Sequence, residues 1–219
     1  MNRRALFTSL AGRRPPDGRN DPSYARKRFT NALLRTHHGK EVRFYDDLIK
    51  GKQVVMNLMY ANCEGVCPAI TANLHKVYKA LEHRMGKDLF MYSITLKPEQ
   101  DDPSALMHFA EMHGVANLPG WLFLTGDPYD IETIRFRLFR WDHIKFDLDL
   151  DTHTSMLRII NEATHQWTMV QPMVSVYTIV QHISWCDPPK TLEERLEENR
   201  KLQEKIDEDR RLHGYRKNT

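Results

Sequence analysis

Two cysteines, Cys63 and Cys67, stand four residues apart in Tyr60-Ala61-Asn62-Cys63-Glu64-Gly65-Val66-Cys67-Pro68, and no other stretch of the chain offers comparable chemistry. An apolar run, Val54-Val55-Met56-Asn57-Leu58-Met59-Tyr60, leads into the pair and reads as a buried strand that ends at turn-forming residues. After it, apolar side chains at 70, 74, 77, 78 and 81 keep helical spacing, and Pro68 suits a first helical position, where no N–H is needed. The pair therefore belongs at a strand-to-helix junction. Free N–H groups and the helix dipole at such a place stabilise thiolate, the form that attacks disulfides and binds soft metals.

Three chemistries fit the pair. As a redox couple, positions four apart would stack on one face of a helical turn, although thioredoxin-type enzymes use two intervening residues. As metal ligands, two thiolates favour Cu(I), and an imidazole from elsewhere would complete a three-coordinate site or help hold Cu(II). The bland alternative is a passive disulfide or two small core fillers, for which a loop containing Glu64 and Gly65 is a poor setting.

An imidazole would have to come from far along the chain, which has 11 histidines. His37 and His38 precede Gly39 in an expected loop, and His75, His83, His108 and His113 fall on amphipathic helical stretches at expected surface or boundary positions. His165 belongs to a hairpin turn and His182 to a helix. His153 differs in ending an acidic stretch, Asp147-Leu148-Asp149-Leu150-Asp151-Thr152, just before a strand. A lone loop histidine is ordinarily only solvated, so its residue type alone leaves its role open.

The elements that must position these groups alternate. Glu41–Tyr45 is expected as a short strand, 53–60 as a buried strand and 89–95 as a second one. A helix over 103–113, ended by Gly114, precedes a third strand at 121–125 and a helix from Pro128 to about Phe139. The 142–152 stretch is acidic and irregular. Residues 156–160 and 166–170 flank Asn161-Glu162-Ala163-Thr164 as a hairpin, and a helix over 174–185 closes the core. This order predicts a three-layer α/β domain with a central mixed sheet flanked by helices. A reactive cysteine pair after its first long strand points to a thioredoxin-like fold.

The chain divides into a basic arm over 1–28, a domain over 29–188 and a charged tail over 189–219. The arm is rich in Arg, Pro and Gly, poor material for a packed element. Its Asn2-Arg3-Arg4-Ala5-Leu6-Phe7-Thr8-Ser9-Leu10-Ala11 is similar to the start of a twin-arginine export signal, with a short apolar part stopped by Arg13-Arg14. Thr191 to about Leu212 predicts a charged helix, supported by Glu197–Lys201 at i,i+4, that extends into solvent or braces the domain. Its leucines keep no strict heptad.

At 219 residues with 41% hydrophobic content, the chain can bury one good core. No run approaches the roughly 20 apolar residues of a membrane span. A net charge of +3, concentrated in the arm, is no nucleic-acid footprint. Three cysteines are too few for a disulfide scaffold, and Cys186 reads as an incidental thiol.

Met59-Tyr60-Ala61-Asn62-Cys63-Glu64-Gly65-Val66-Cys67-Pro68 resembles the signature of the Sco/SenC family of copper chaperones for cytochrome oxidase, apolar-Tyr-Thr-x-Cys-x-x-x-Cys-Pro. Further resemblances follow in family order. Tyr92-Ser93-Ile94, then Pro98-Glu99-Gln100-Asp101-Asp102-Pro103, is similar to Ser-Val-Asp-Pro-Glu-Arg-Asp-Thr-Pro; Leu124-Thr125-Gly126 and His153-Thr154 also match family motifs. The similarity covers roughly residues 31–186. It implies a thioredoxin-like fold and copper bound by Cys63, Cys67 and His153.

The chain departs from the pattern in two places. Ser93-Ile94-Thr95-Leu96-Lys97-Pro98 lacks the expected acidic residue and carries one extra position, which leaves Asp101 as a substitute. Thr152, not Asp, precedes His153, with Asp151 one residue further back as a candidate to orient the imidazole.

The resemblance implies a copper-binding metallochaperone that delivers copper to a respiratory cuproenzyme such as cytochrome c oxidase, by ligand exchange with a subunit of that enzyme or another cuproprotein. It implies a periplasmic or otherwise extracytoplasmic setting, and a monomer or weak dimer is expected. The rival is an enzyme, a thiol–disulfide oxidoreductase that uses Cys63 and Cys67 to reduce partner cysteines before metallation and has no need of His153. A peroxiredoxin-like peroxidase is a third, weaker option.

Overall fold

The computed structural model describes residues 28–139, 156–189 and 191–212. Seven strands form one mixed sheet: β1 (Leu33–Thr36), β2 (Glu41–Arg43), β3 (Gln53–Met59), β4 (Leu89–Thr95), β5 (Trp121–Gly126), β6 (Leu157–Asn161) and β7 (Gln166–Val170), in the order β2-β1-β5-β4-β3-β6-β7. The helices are α1 (Cys67–Ala80), α2 (Pro103–Met112), α3 (Pro128–Leu138), α4 (Val176–Trp185) and α5 (Leu192–Leu212). The three central strands β3, β4 and β5 are parallel, joined by crossovers through α1 and α2, while the outer strands are antiparallel.

Every residue of β3 is buried, which explains its unbroken apolar run: a central strand covered on both faces has no use for alternation. Its side chains divide between the two faces. Val55 and Met59 join a core under α1, α2 and α4 with Ile70, Leu74, Val77, Phe109 and Ile179. Val54, Met56 and Leu58 join a second core under α3, with Ile131, Ile134 and Leu138. The layers are therefore helix, sheet, helix, in the thioredoxin-like arrangement that the element order predicts. Polar groups inside the first core are paired across three strands: Trp121 Nε1 donates to Ser93 Oγ at 3.1 Å, and Ser93 Oγ donates to Asn57 Oδ1 at 2.8 Å.

One expectation needs correction. The strand expected over Glu41–Tyr45 stops at Arg43, and Phe44–Ile49 forms a π-helical turn instead. Here Asp47 accepts the Arg43 N–H at 2.6 Å, and Asn31 Oδ1 accepts the N–H groups of Tyr45 and Asp46 at 3.2 and 3.1 Å. These contacts supply acceptors that a strand would have taken from a neighbour. His37 lies in the expected turn after β1, and there it is buried at 3% exposure with both ring nitrogens engaged.

The tail helix α5 acts as a brace. Leu202 is buried in the first core and Ile206 packs against it, whereas Leu192 and Leu196 are exposed. Gln181 of α4 donates to Asn199 at 2.6 Å, and Lys205 reaches the carbonyl of Ala80 at 3.4 Å. The expected Glu197–Lys201 pair is present at 3.2 Å on the exposed face. The arm, the acidic 142–152 stretch and His153 lie outside the described residues.

Candidate functional site

β3 delivers the chain at Met59 into a turn spanning Tyr60 to Val66, and α1 starts at Cys67. Only Cys67 is helical. Cys63 lies in the turn ahead of the helix, so the two sulfurs do not stack along one helical face as their spacing suggests. Glu64, Gly65 and Val66 are exposed, but both cysteines turn inward, at 7% exposure for Cys63 and 1% for Cys67. The pair closes the top of the first core, with Cys63 at its rim. Both are free thiols.

The start of α1 explains how Cys63 is held. Val66, its N-cap residue, has no side chain able to cap, so the helix lacks the usual side-chain acceptor for its first N–H groups. Cys63 sulfur takes that place, accepting from the backbone N–H of Cys67 and of Gly65 and lying within hydrogen-bond reach of the Cys67 thiol and the Tyr60 hydroxyl. Burial pushes the Cys63 thiol up, but these donors together outweigh it, and the thiol ends below its ordinary range. Cys67 moves the other way. Burial, reinforced by a hydrogen bond to Cys63 and repulsion from its charge, raises it to about 12. The pair is thus an acidified sulfur at the rim of the core backed by a more deeply buried, protonated one.

The connection from β4 to α2 reaches over this turn. The Asp101 carboxylate, 2% exposed, accepts the Ala61 N–H at 3.0 Å and also the Thr95 hydroxyl through the same oxygen. Thr95 Oγ1 in turn accepts the Lys97 N–H at 3.0 Å. The Lys97 ammonium sits 4.0 Å from the centroid of the Tyr60 ring, a cation–π contact with the residue whose hydroxyl reaches Cys63. Asp101 thus holds the backbone of the cysteine turn rather than facing the sulfurs. Thr95 and Lys97 were missed in sequence as functional residues, since nothing in their local pattern signals a contact with a turn more than 30 positions away.

Of the three ligand candidates, the structure brings Cys63 and Cys67 together, and His153 lies outside the described residues. β6 runs antiparallel to β3 with Arg158 opposite Met56, so β6 begins at the end of the sheet where β3 delivers the cysteines. Among the described residues, no group of three or more His, Cys, Asp or Glu side chains is placed to hold a metal ion. The two adjacent sulfurs are a soft donor pair, suited in chemistry to Cu(I) and incomplete without a further donor. Met169 pairs with Arg158 across β6–β7, on the α3 face of the sheet, and so lies on the side away from the cysteines. Cys186 is buried at the end of α4; burial and the neighbouring Asp187 raise its thiol to about 11.

The likenesses to known proteins run through this same framework. BsSco, a member of the Sco family of cytochrome c oxidase assembly proteins with a disulfide switch, superposes with a TM-score of 0.58 at 23% identity, covering 72% of this chain and 92% of that one. A SCO1/SenC family lipoprotein from Bacillus anthracis gives 0.58 at 23% identity over 70% and 91% of the two chains. Yeast Sco1 with copper bound gives 0.53 at 20% identity over 72% and 92%. At these identities the likeness establishes the fold. No helix among the described residues is long and apolar enough to cross a membrane. In sequence, the SCO1 protein homolog of Bacillus subtilis (strain 168) is 30% identical over 108 residues, 49% of this chain and 54% of the relative. The chain thus spans about half the length of the curated relative it matches. The family model described as SCO1/SenC matches residues 23–186, the stretch that holds the whole sheet and both neighbouring cysteines, and the chain belongs to that family.

Proposed function

We propose that this chain carries copper as cargo and passes it to a respiratory cuproenzyme such as cytochrome c oxidase, with Cys63, Cys67 and His153 as ligands. The observation that carries the reading is the pair of inward-facing thiols, within hydrogen-bond reach of each other, at the junction of β3 and α1 in a chain of the SCO1/SenC family. Two thiolates and one neutral imidazole make a low-coordinate soft site, which can yield its ion to a partner that offers more ligands. His153 stands four residues ahead of Leu157, where β6 starts beside the end of β3. Four residues extend up to about 13 Å, and the reading requires that span to carry the imidazole to the pair. Copper bound in yeast Sco1 and the cytochrome c oxidase assembly role of BsSco's family support the same reading. An extracytoplasmic location fits the twin-arginine-like start of the arm and the lipoprotein nature of the Bacillus anthracis relative. In this reading, residues 29–188 form the working domain, with 1–28 a basic arm and 189–219 a charged tail whose helix α5 braces the domain.

The deciding experiment is metal analysis after anaerobic Cu(I) loading of the fully reduced chain, with Cys63→Ala/Cys67→Ala and His153→Ala beside it. One copper per chain is expected, lost in the double variant and weakened in His153→Ala. A reduced chain that binds no copper overturns the proposal, and an unchanged His153→Ala overturns that ligand.

The unequal thiols favour a second reading, a thiol–disulfide oxidoreductase acting on partner cysteines. Cys63 thiolate would attack a partner disulfide, forming a mixed disulfide and releasing one partner thiolate. Cys67, losing its proton, would then attack the Cys63 sulfur, releasing the second partner thiol and leaving a Cys63–Cys67 disulfide. Thiol exchange undiminished in His153→Ala, in a chain that takes up no copper, would establish it.

A further inference from the structure

We infer that Asp101 is a positioning residue for the cysteine pair: through Ala61 and Thr95 it pins the start of the Cys63–Cys67 turn to the end of β4 and so keeps the two sulfurs at bonding range. The inference rests on the reading of Cys63 and Cys67 as the working pair. Other restraints within the turn run to the sulfurs themselves: Cys63 sulfur accepts from the Cys67 and Gly65 N–H groups, and Cys67 sulfur from the Tyr60 N–H. Beyond Met59, whose carbonyl accepts the Leu96 N–H at 2.8 Å, β3 has no further strand partner in β4, and Glu64, Gly65 and Val66 are exposed. One buried carboxylate oxygen then serves two donors, the Ala61 N–H ahead of Cys63 and the hydroxyl of the last β4 residue. Asp101 is itself fixed from behind, its N–H donating to the Lys97 carbonyl at 2.9 Å, while the adjacent Asp102 caps α2 by accepting the Ala105 N–H at 2.8 Å. A turn anchored at both ends, to β4 by Asp101 and to α1 by Cys67, presents the two sulfurs to each other at high effective concentration.

The predicted consequence is redox. Oxidation of the pair by glutathione disulfide forms the Cys63–Cys67 bond, breaks the glutathione S–S bond and releases two glutathione thiols. Its equilibrium constant scales with the effective concentration of one thiol at the other. The full chain, free of metal, is equilibrated anaerobically in glutathione buffers, quenched by alkylation and read by mass spectrometry. Asp101→Ala should lower the equilibrium constant about tenfold, equivalent to about 30 mV for this two-electron couple. Asp101→Asn, which retains an oxygen acceptor, should stay within about threefold of the parent. Thr95→Val, nearly isosteric, should shift the constant in the same direction by less, and it decides the matter if Asp101→Ala does not fold. Ile134→Ala, on the opposite face of the sheet, controls for loss of stability alone and should leave the constant unchanged. A parent-like or higher constant in Asp101→Ala, or in Thr95→Val where that variant decides, overturns the inference, as does an equal shift in Ile134→Ala. Because the readout uses no copper, failure of the parent chain to bind copper would sink the proposed cargo and leave this result standing.

Discussion

The Arg84 guanidinium grips the Asp187 carboxylate with two hydrogen bonds, 3.1 Å from Nη1 and 2.9 Å from Nη2, at the end of the domain away from the cysteine turn. The same guanidinium donates to Asp88 at 2.9 Å and to Gln53 Oε1 at 2.8 Å, while Gln53 Nε2 donates to the Ile183 carbonyl at 2.7 Å. One network therefore ties the first residue of β3 to the turn after α1 and the exit of α4. The Asp187 side chain is 2% exposed, so removing Arg84 takes a bidentate guanidinium from a buried carboxylate. Arg84→Ala should cost about 3 kcal/mol in urea unfolding, with the glutathione equilibrium of the cysteine pair unchanged. A cost below about 1 kcal/mol, the range of exposed pairs, would show that the network is ornamental to stability.

His37 sets a pH dependence. Its Nδ1 accepts the Phe123 N–H at 3.1 Å, which leaves Nε2 as the protonated nitrogen, donating to the Ala116 carbonyl at 2.9 Å. Burial lowers its basicity below the ordinary 6.5. The unfolded chain then binds the proton more tightly than the folded one. Stability from this residue is present in full above pH 6.5 and is lost as pH falls through the lowered value. His75, His83 and His182, also lowered mainly by burial, act with the same sign. Urea midpoints between pH 8 and pH 5 should fall, and His37→Gln should flatten part of that fall while lowering stability at pH 8.

The elements carrying the cysteines were legible because their signals are local. A buried central strand needs only apolar residues, and α1 needs only its i, i+3, i+4 spacing, Pro68 included. The π-helical turn at Phe44 was not legible, because Asn31, which supplies its acceptors, lies 14 and 15 positions from the N–H groups it receives. The inward rotation of Cys63 and Cys67 was hidden for a similar reason. Glu64 and Gly65 advertise a solvated loop, and only the packing of Met59 and Ile70 beneath shows that the sulfurs face the core. The bond from Asp101 to Ala61 spans 40 positions, and no periodicity reports such a contact.

Gly120 and Gly86 make a backbone-to-backbone approach that a side chain would abolish. Both have positive φ, 78° and 73°, and a Cβ on Gly120 would stand 2.4 Å from the Gly86 nitrogen and 2.7 Å from its Cα. The obstacle is backbone, so no rotamer change relieves it. Gly120→Ala should be among the most damaging single substitutions, costing about 3 kcal/mol or more by thermal unfolding. Gly65→Ala is the contrast: its Cβ would meet Cys63 Sγ at 3.8 Å, an ordinary contact, and its melting temperature should match the parent's.

The three thiols should be distinguishable by alkylation of the reduced, native chain. Cys63 is held below the usual thiol range by donors that favour its thiolate, whereas burial lifts Cys67 to about 12 and Cys186 to about 11. Burial and the neighbouring Asp187 thus leave Cys186 far less thiolate than a free cysteine at the same pH. Its 2% exposure slows reaction further. Iodoacetamide at pH 8 should therefore add one equivalent quickly, mapped to Cys63 by peptide mass spectrometry, with the other two sites reacting only on unfolding. The pH–rate profile for Cys63 should turn over below that of a free cysteine. Tyr60→Phe, which removes the hydroxyl within reach of the Cys63 sulfur, should move that midpoint upward. Fast labelling of Cys67 ahead of Cys63 would reverse the assignment of which sulfur acts first, and with it the order of attack in any exchange with a partner disulfide.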